Sequence, residues 1–282
     1  MSWQLLTVIA VAASSLVIPL QRLLLHKDNS DPLAFVIVSQ ALTALLLGSY
    51  AIIHGFHPPV LSRYWAIIAV MFGLYGAGHV LYARTLKRVE ASTFSILLNT
   101  NAIWIILMGY TVFHEHPHVV QLFGTVLILA SVGIIAERSG TFRLEPGAML
   151  GLLVGLIFGV AASAWVYVGK HSDVVTWTAL SFAGTPMLLL LAQPASVREL
   201  TPFFDRMVLV RLVCLALFWG ISNVAALAAY QRGPVSLIAP LQKTGVILTV
   251  LVAIIFLGER TRLWQKTVAA SVCFLGVLLI VR

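Results

Sequence analysis

Lys243 stands nine residues into an apolar run, Val235 to Gly258, that contains no acid. In a helix crossing lipid, a charge at that depth costs roughly 2.5–3.5 kcal/mol even on the lenient insertion scale, so water, a carbonyl or a ligand must offset it. The chemistry this offers is electrostatic capture of a carboxylate or phosphate. The alternative is snorkelling back towards Pro234, about 12 Å along the helix. In another apolar run Tyr75, His79 and Tyr82 follow at i, i+4 and i+7, a single helical stripe of rings in which His79 is a conceivable proton carrier. A shift of 144 residues carries Tyr75 onto Trp219 and His79 onto Asn223, and it pairs Lys243 with Asn99. Both halves therefore present an aromatic and a polar residue one turn apart, and two polar residues at equivalent mid-helix positions. Taken singly, each of these rings reads better as packing, and it is the paired placement that raises the cavity reading. Trp104 and Trp165 extend the candidate set, as do Gln242 and Gln40.

Other chemistry is excluded. Each of the ten Asp and Glu residues lies at a joint or at the end of an apolar run, so no intramembrane carboxylate is expected to carry a coupling proton. No nucleophile, base and orienting group occur in a catalytic arrangement, and no glycine-rich turn is followed by the Lys and Ser/Thr of a phosphate loop. His114-Glu115-His116-Pro117-His118 invites a metal reading, but Glu115 reads as a helix-ending acid and Pro117 as a helix start. No metal, cofactor or enzymatic activity is expected. Cys214 and Cys273 both lie in apolar runs and read as small core residues.

The elements that position these residues follow from composition. The 282 residues are 60% apolar and 10% charged, with a mean hydropathy of +0.98. Soluble domains carry about a quarter charged residues, so this chain must be solvated by lipid. Disorder, nucleic-acid binding and disulfide scaffolds are excluded, because the net charge of +8 comes from cations scattered singly between apolar runs. Ten apolar segments can be marked off: Trp3–Leu20, Leu33–Ile53, Tyr64–Ala83, Ala91–Phe113, Val119–Ala136, Gly147–Gly169, Val174–Ala192, Met207–Tyr230, Val235–Gly258 and Leu263–Val281. Each approaches the ~20 residues a membrane helix needs, and the first reads as a retained helix, not a signal peptide. Gly147, Gly151, Gly155 and Gly159, continued by Ser163, form a ridge for close helix approach.

The 144-residue shift also matches Arg88/Arg232, Ser92/Ser236, Leu97/Leu241, Thr100/Thr244 and Glu115/Glu259 without a gap. The expected fold is all-α and membrane-integral, with ten transmembrane helices in two five-helix repeats, residues 1–138 and 147–282. Five crossings is an odd number, so the second repeat is inverted, a symmetry found in alternating-access carriers.

The run Ala91 to Leu98, Glu115, Gln121-Leu122-Phe123-Gly124 and Gly133 resembles the EamA repeat of the drug/metabolite transporter superfamily. The second copy, Pro234 to Leu241, Leu257-Gly258-Glu259-Arg260, Gln265 and Gly276, is similar in its more typical form. The resemblance implies a ten-helix carrier of small metabolites with a central cavity between the halves, and no particular substrate. Family members often carry proline in the fourth helix; here Asn99-Thr100-Asn101 stands instead, polar groups that could serve a ligand.

The leading expectation is a carrier for a small anionic or zwitterionic metabolite, with lipid and substrate as partners, as a monomer or homodimer in the inner membrane of a bacterium. A flippase for a phosphate-headed lipid and a membrane enzyme acting on a lipid carrier are the alternatives. Alternate joints hold 13 Lys/Arg against four at the other joints and the C-terminus, which places both termini outside the cytoplasm, whereas the resemblance implies the reverse.

Overall fold

The computed structural model describes residues 1–27, 31–98, 100–101, 104–105, 107, 111, 118–138, 141–142, 146–194, 200, 203–257 and 263–281. The chain runs through α1 (Trp3–Lys27), α2 (Pro32–His54), α3 (Leu61–Arg88), α4 (Ala91–Leu98), α5 (Val119–Ala136), α6 (Pro146–Gly169), α7 (Val174–Ala192), α8 (Arg206–Arg232), α9 (Val235–Lys243), α10 (Gly245–Leu257) and α11 (Leu263–Val281). Between α5 and α6 a short antiparallel ladder sets Glu137 opposite Phe142 and Arg138 opposite Thr141.

Among the described residues six helices are long and apolar enough to cross a membrane: α1, α2, α3, α6, α7 and α8. This is fewer than the ten expected spans. The fourth segment is described as a helix only as far as Leu98, with further helical positions at Asn101, Trp104, Ile105, Leu107 and Thr111. The ninth is interrupted. Pro240 has no N–H to give Ser236, and at Thr244 both the backbone N–H (3.1 Å) and Oγ1 (2.7 Å) turn back onto the Leu241 carbonyl, so α9 stops and α10 restarts at Gly245.

Acids begin several helices. Oxygens of Asp31, Asp173 and Asp205 accept hydrogen bonds from the N–H groups of Ala34, Thr176 and Met207, satisfying first-turn donors that have no partner within the helix.

The most extensive helix contacts are α1 with α8, α3 with α6, α2 with α7, and α5 with α11; α1 also packs on α10, and α4 on α6. The glycine ridge of α6 makes the last contact possible. A Cβ at Gly151 would meet Leu97, one at Gly155 would lie 2.4 Å from Oγ1 of Thr100, and one at Gly159 would lie 2.5 Å from Cβ of Trp104. Large apolar side chains face outward, among them Trp264 (81% exposed), Leu191 (79%) and Ile53 (78%), as a lipid-facing surface requires.

Two buried clusters cap the interior. One gathers Tyr64, Trp177, Tyr230 and Val235 from the end of the bundle where α3, α7 and α9 begin. The other gathers Phe35, Leu86, Phe94 and Phe203 from the opposite end. The candidate site lies between them.

Candidate functional site

A cavity of about 260 Å³ opens between α1, α2, α3, α6, α7 and α8, and a second of about 130 Å³ adjoins it towards α9. Tyr75, Asn101, Ala162, Trp165, Ser222 and Asn223 line both, so the two are lobes of one site with these residues at its waist.

His79 is held among rings in the larger lobe. Its imidazole centroid lies 5.6 Å from Tyr75, 4.7 Å from Phe158, 5.5 Å from Trp219 and 6.3 Å from Tyr82. The helical stripe on α3 therefore meets its repeat counterpart on α8: Trp219 stands edge-on to His79. Asn223, the counterpart of His79, gives its Nδ2 hydrogen to the Trp219 carbonyl (2.9 Å). The Tyr82 hydroxyl donates to Oε1 of Gln21 (2.6 Å), tying α3 to α1 across the lobe. Most serine hydroxyls here are already engaged: Ser14 and Ser181 bond carbonyls of their own helices, and Ser222 bonds that of Ala10.

Lys243, the last residue of α9, lines the smaller lobe beside Gln242 and Tyr230. No described carboxylate pairs with it. The ammonium thus sits at a helix break, where carbonyls beyond the broken ladder and the lobe itself can solvate it, instead of mid-way along an unbroken helix.

Of the residues expected at a site, Tyr75, His79, Tyr82, Trp165, Trp219, Asn223 and Lys243 line one lobe or both, together with Gln40 and Gln242. Trp104 is not among the lining residues and packs against Gly159 of α6 instead. Asn99 lies outside the described residues, as do Glu115, Glu259 and the His114 to Pro117 stretch.

Sequence reasoning missed Gln21, Thr185, Ser181, Ser222, Phe158 and Phe182. The polar ones carried a signal, since uncharged hydrogen-bonding groups in long apolar runs must find partners, but the phenylalanines carried none. It also missed the partner of Lys266: this side chain in the first turn of α11 is 3% exposed and forms an ion pair with Glu90, joining the entry of α4 to the start of α11.

The lining carries aromatic faces, amides, hydroxyls and one ammonium. Such groups suit the holding of a small polar molecule by stacking, hydrogen bonding and one charge.

Comparison with known proteins agrees with this geometry. Over 222 residues the chain is 24% identical to proteins of Bacillus cereus and Bacillus anthracis provisionally named sugar uptake proteins, a match covering 74% of this chain and 75% of theirs. A solved crystal structure superposes on 98% of this chain and 95% of its own at a TM-score of 0.71 with 17% identity, a likeness of fold alone. The model of the EamA-like transporter family matches residues 1–136 and again 145–282. With both halves of an apolar, helical, cavity-bearing chain matched in this way, the protein belongs to the EamA-like transporter family, whose members are membrane transporters of small molecules.

Proposed function

We propose that the protein is a secondary, alternating-access carrier of a small polar metabolite bearing an acidic group, such as an amino acid or related compound, in the inner membrane of a bacterium. Its frame in this reading is ten helices in two inverted five-helix repeats. The helix contacts support that frame. Exchanging each helix for its counterpart one repeat away turns the α1–α8 contact into the α6–α3 contact and the α1–α9 contact into the α6–α4 contact, while α2–α7 and α5–α11 map onto themselves. Inverted repeats of this kind bind cargo at the interface between halves, where the cavity of this protein lies.

The observation that carries the reading is the junction of the two lobes. An ammonium with no carboxylate partner among the described residues, Lys243, adjoins a chamber of aromatic faces and neutral amides. Together the lobes fall at the small end of the roughly 300–1,000 Å³ usual for ligand pockets, which suits a metabolite and not a lipid with its chains. A neutral sugar is the second reading, favoured by the uncharged larger lobe and by the name of the Bacillus relatives.

Thermal stabilisation of the purified protein in detergent separates these readings. Acidic or zwitterionic metabolites should raise the melting temperature, and neutral sugars should do so less. Stabilisation by phosphate-headed lipid alone, with no response to any water-soluble metabolite, overturns the carrier reading.

A further inference from the structure

Four buried side-chain atoms have no hydrogen-bond partner among the described residues: Nε2 of Gln40, Oδ1 of Asn101, Oγ1 of Thr185 and Nε2 of Gln242. All four residues line the two lobes. Gln40 and Thr185 are 1% exposed and Asn101 9%. A buried polar group left unpaired costs about 1–3 kcal/mol, so packing alone does not account for a cluster of them on one surface.

Their chemistry restricts what can meet them. The two glutamine amides offer N–H groups and need acceptors, the asparagine carbonyl needs a donor, and the threonine hydroxyl takes either role. A carboxylate only accepts and cannot serve Asn101. An ammonium only donates and cannot serve Gln40 or Gln242. A hydroxyl is a neutral group that both gives and takes a hydrogen bond, and a chain of them can meet donors and acceptors in turn. The placement is graded as well: Gln40 and Thr185 lie in the larger lobe, Asn101 at the waist, and Gln242 in the smaller lobe beside Lys243.

We propose that the site takes a polyhydroxylated acid, its acidic group at Lys243 and Gln242, and its hydroxyls along Asn101, Thr185 and Gln40. The C–H faces of such a molecule lie on Tyr75 and Trp165 at the waist. This rests on the carrier reading and names its substrate class.

The test is isothermal titration of the purified full chain in lipid nanodiscs with D-gluconate, with sorbitol as the polyol lacking an acid and hexanoate as the acid lacking hydroxyls. Gluconate is expected to bind at least about tenfold tighter than either. Thr185→Val, which preserves shape, and Gln40→Leu are each expected to weaken gluconate several-fold and leave hexanoate unchanged. Hexanoate matching gluconate overturns the proposal. So does gluconate affinity unchanged in both variants, which would assign the four atoms to bound water. Failure of gluconate and of a series of longer and shorter polyhydroxy acids, with amino acids or neutral sugars binding, overturns the substrate class and leaves the carrier. Failure of every small metabolite overturns both.

Discussion

Thr100 and Thr244, 144 residues apart, make the same turn. The Thr100 N–H and hydroxyl reach the Leu97 carbonyl at 3.2 and 2.8 Å, and those of Thr244 reach the Leu241 carbonyl at 3.1 and 2.7 Å. Hydroxyl back-bonding of this kind bends helices. In the second half Pro240 shares the work, whereas in the first the 144-residue shift puts Ile96 in its place, so the threonine acts without a proline. Thr100→Val is therefore expected to disturb its bend more than Thr244→Val does, each costing about 0.5–1.5 kcal/mol. Thr→Ser at either position keeps the bond and should stay near wild type. Melting temperatures of the purified variants check the order; equal loss by Ser and Val would exclude the hydroxyl.

The ridge on α6 makes a contrast between glycines measurable. A methyl at Gly159 would lie 3.1 Å from the Asn101 carbonyl oxygen as well as against Trp104, so the helices must part. Gly159→Ala is expected to cost about 1–3 kcal/mol and, by displacing Asn101, to weaken ligand binding. At Gly48 a Cβ meets nothing within 4 Å. Gly48→Ala should be neutral or stabilising by up to about 1 kcal/mol. Equal melting of the two variants would contradict the packing assigned to the ridge.

Breaking the Lys266–Glu90 pair should show which partner is the more deeply committed. Lys266 is 3% exposed and Glu90 31%. Glu90→Gln strands a buried ammonium and is expected to cost about 2–4 kcal/mol, somewhat under the ~3–5 kcal/mol of a fully enclosed pair because water reaches Glu90. Lys266→Met alone leaves a carboxylate that water can solvate and should cost less. The double variant should lie nearer wild type than Glu90→Gln, and a double-mutant cycle on melting measures that coupling. Additive losses would mean the pair carries no interaction of its own.

The pattern of legibility follows from physics. Charge avoidance and the 144-residue repeat were readable because lipid tolerates neither acids nor unpaired backbone, so helix ends carry caps such as Asp31 and Asp173. Tyr75, His79 and Trp219 were readable because a stripe at helical spacing recurs in both halves. Thr185 and Phe158 were not, since which face of an apolar helix turns inward depends on neighbours, and a lipid-facing face is as apolar as a packed one. Lys266 escaped for a similar reason: its depth is set by the partner Glu90, 176 residues away in sequence.

Topology is open to a direct measurement. The basic residues concentrate at the end of the bundle that carries Arg22, Arg84, Lys87 and Lys266, and both termini lie at the other. The charge asymmetry is expected to place the basic end in the cytoplasm. A C-terminal reporter active only in the cytoplasm is expected to stay silent, and a signal from it would reverse the orientation.

Lys243 gives the test that bears most directly on function. If its ammonium receives the acidic group of the substrate, Lys243→Ala should abolish most binding yet leave the empty protein no less stable, because removing a charge without a carboxylate partner relieves its desolvation. Lys243→Arg should retain part of the affinity through its charge, and Lys243→Met should not. A lysine that only snorkels to the membrane surface behaves otherwise: Arg and Met would both be nearly silent. Uptake of an acidic substrate into vesicles, at matched amounts of protein, separates the two cases. Equal transport by wild type and Lys243→Met would exclude the lysine as the anchor. Recognition would then fall to the rings Tyr75 and Trp219, which flank His79 in the larger lobe.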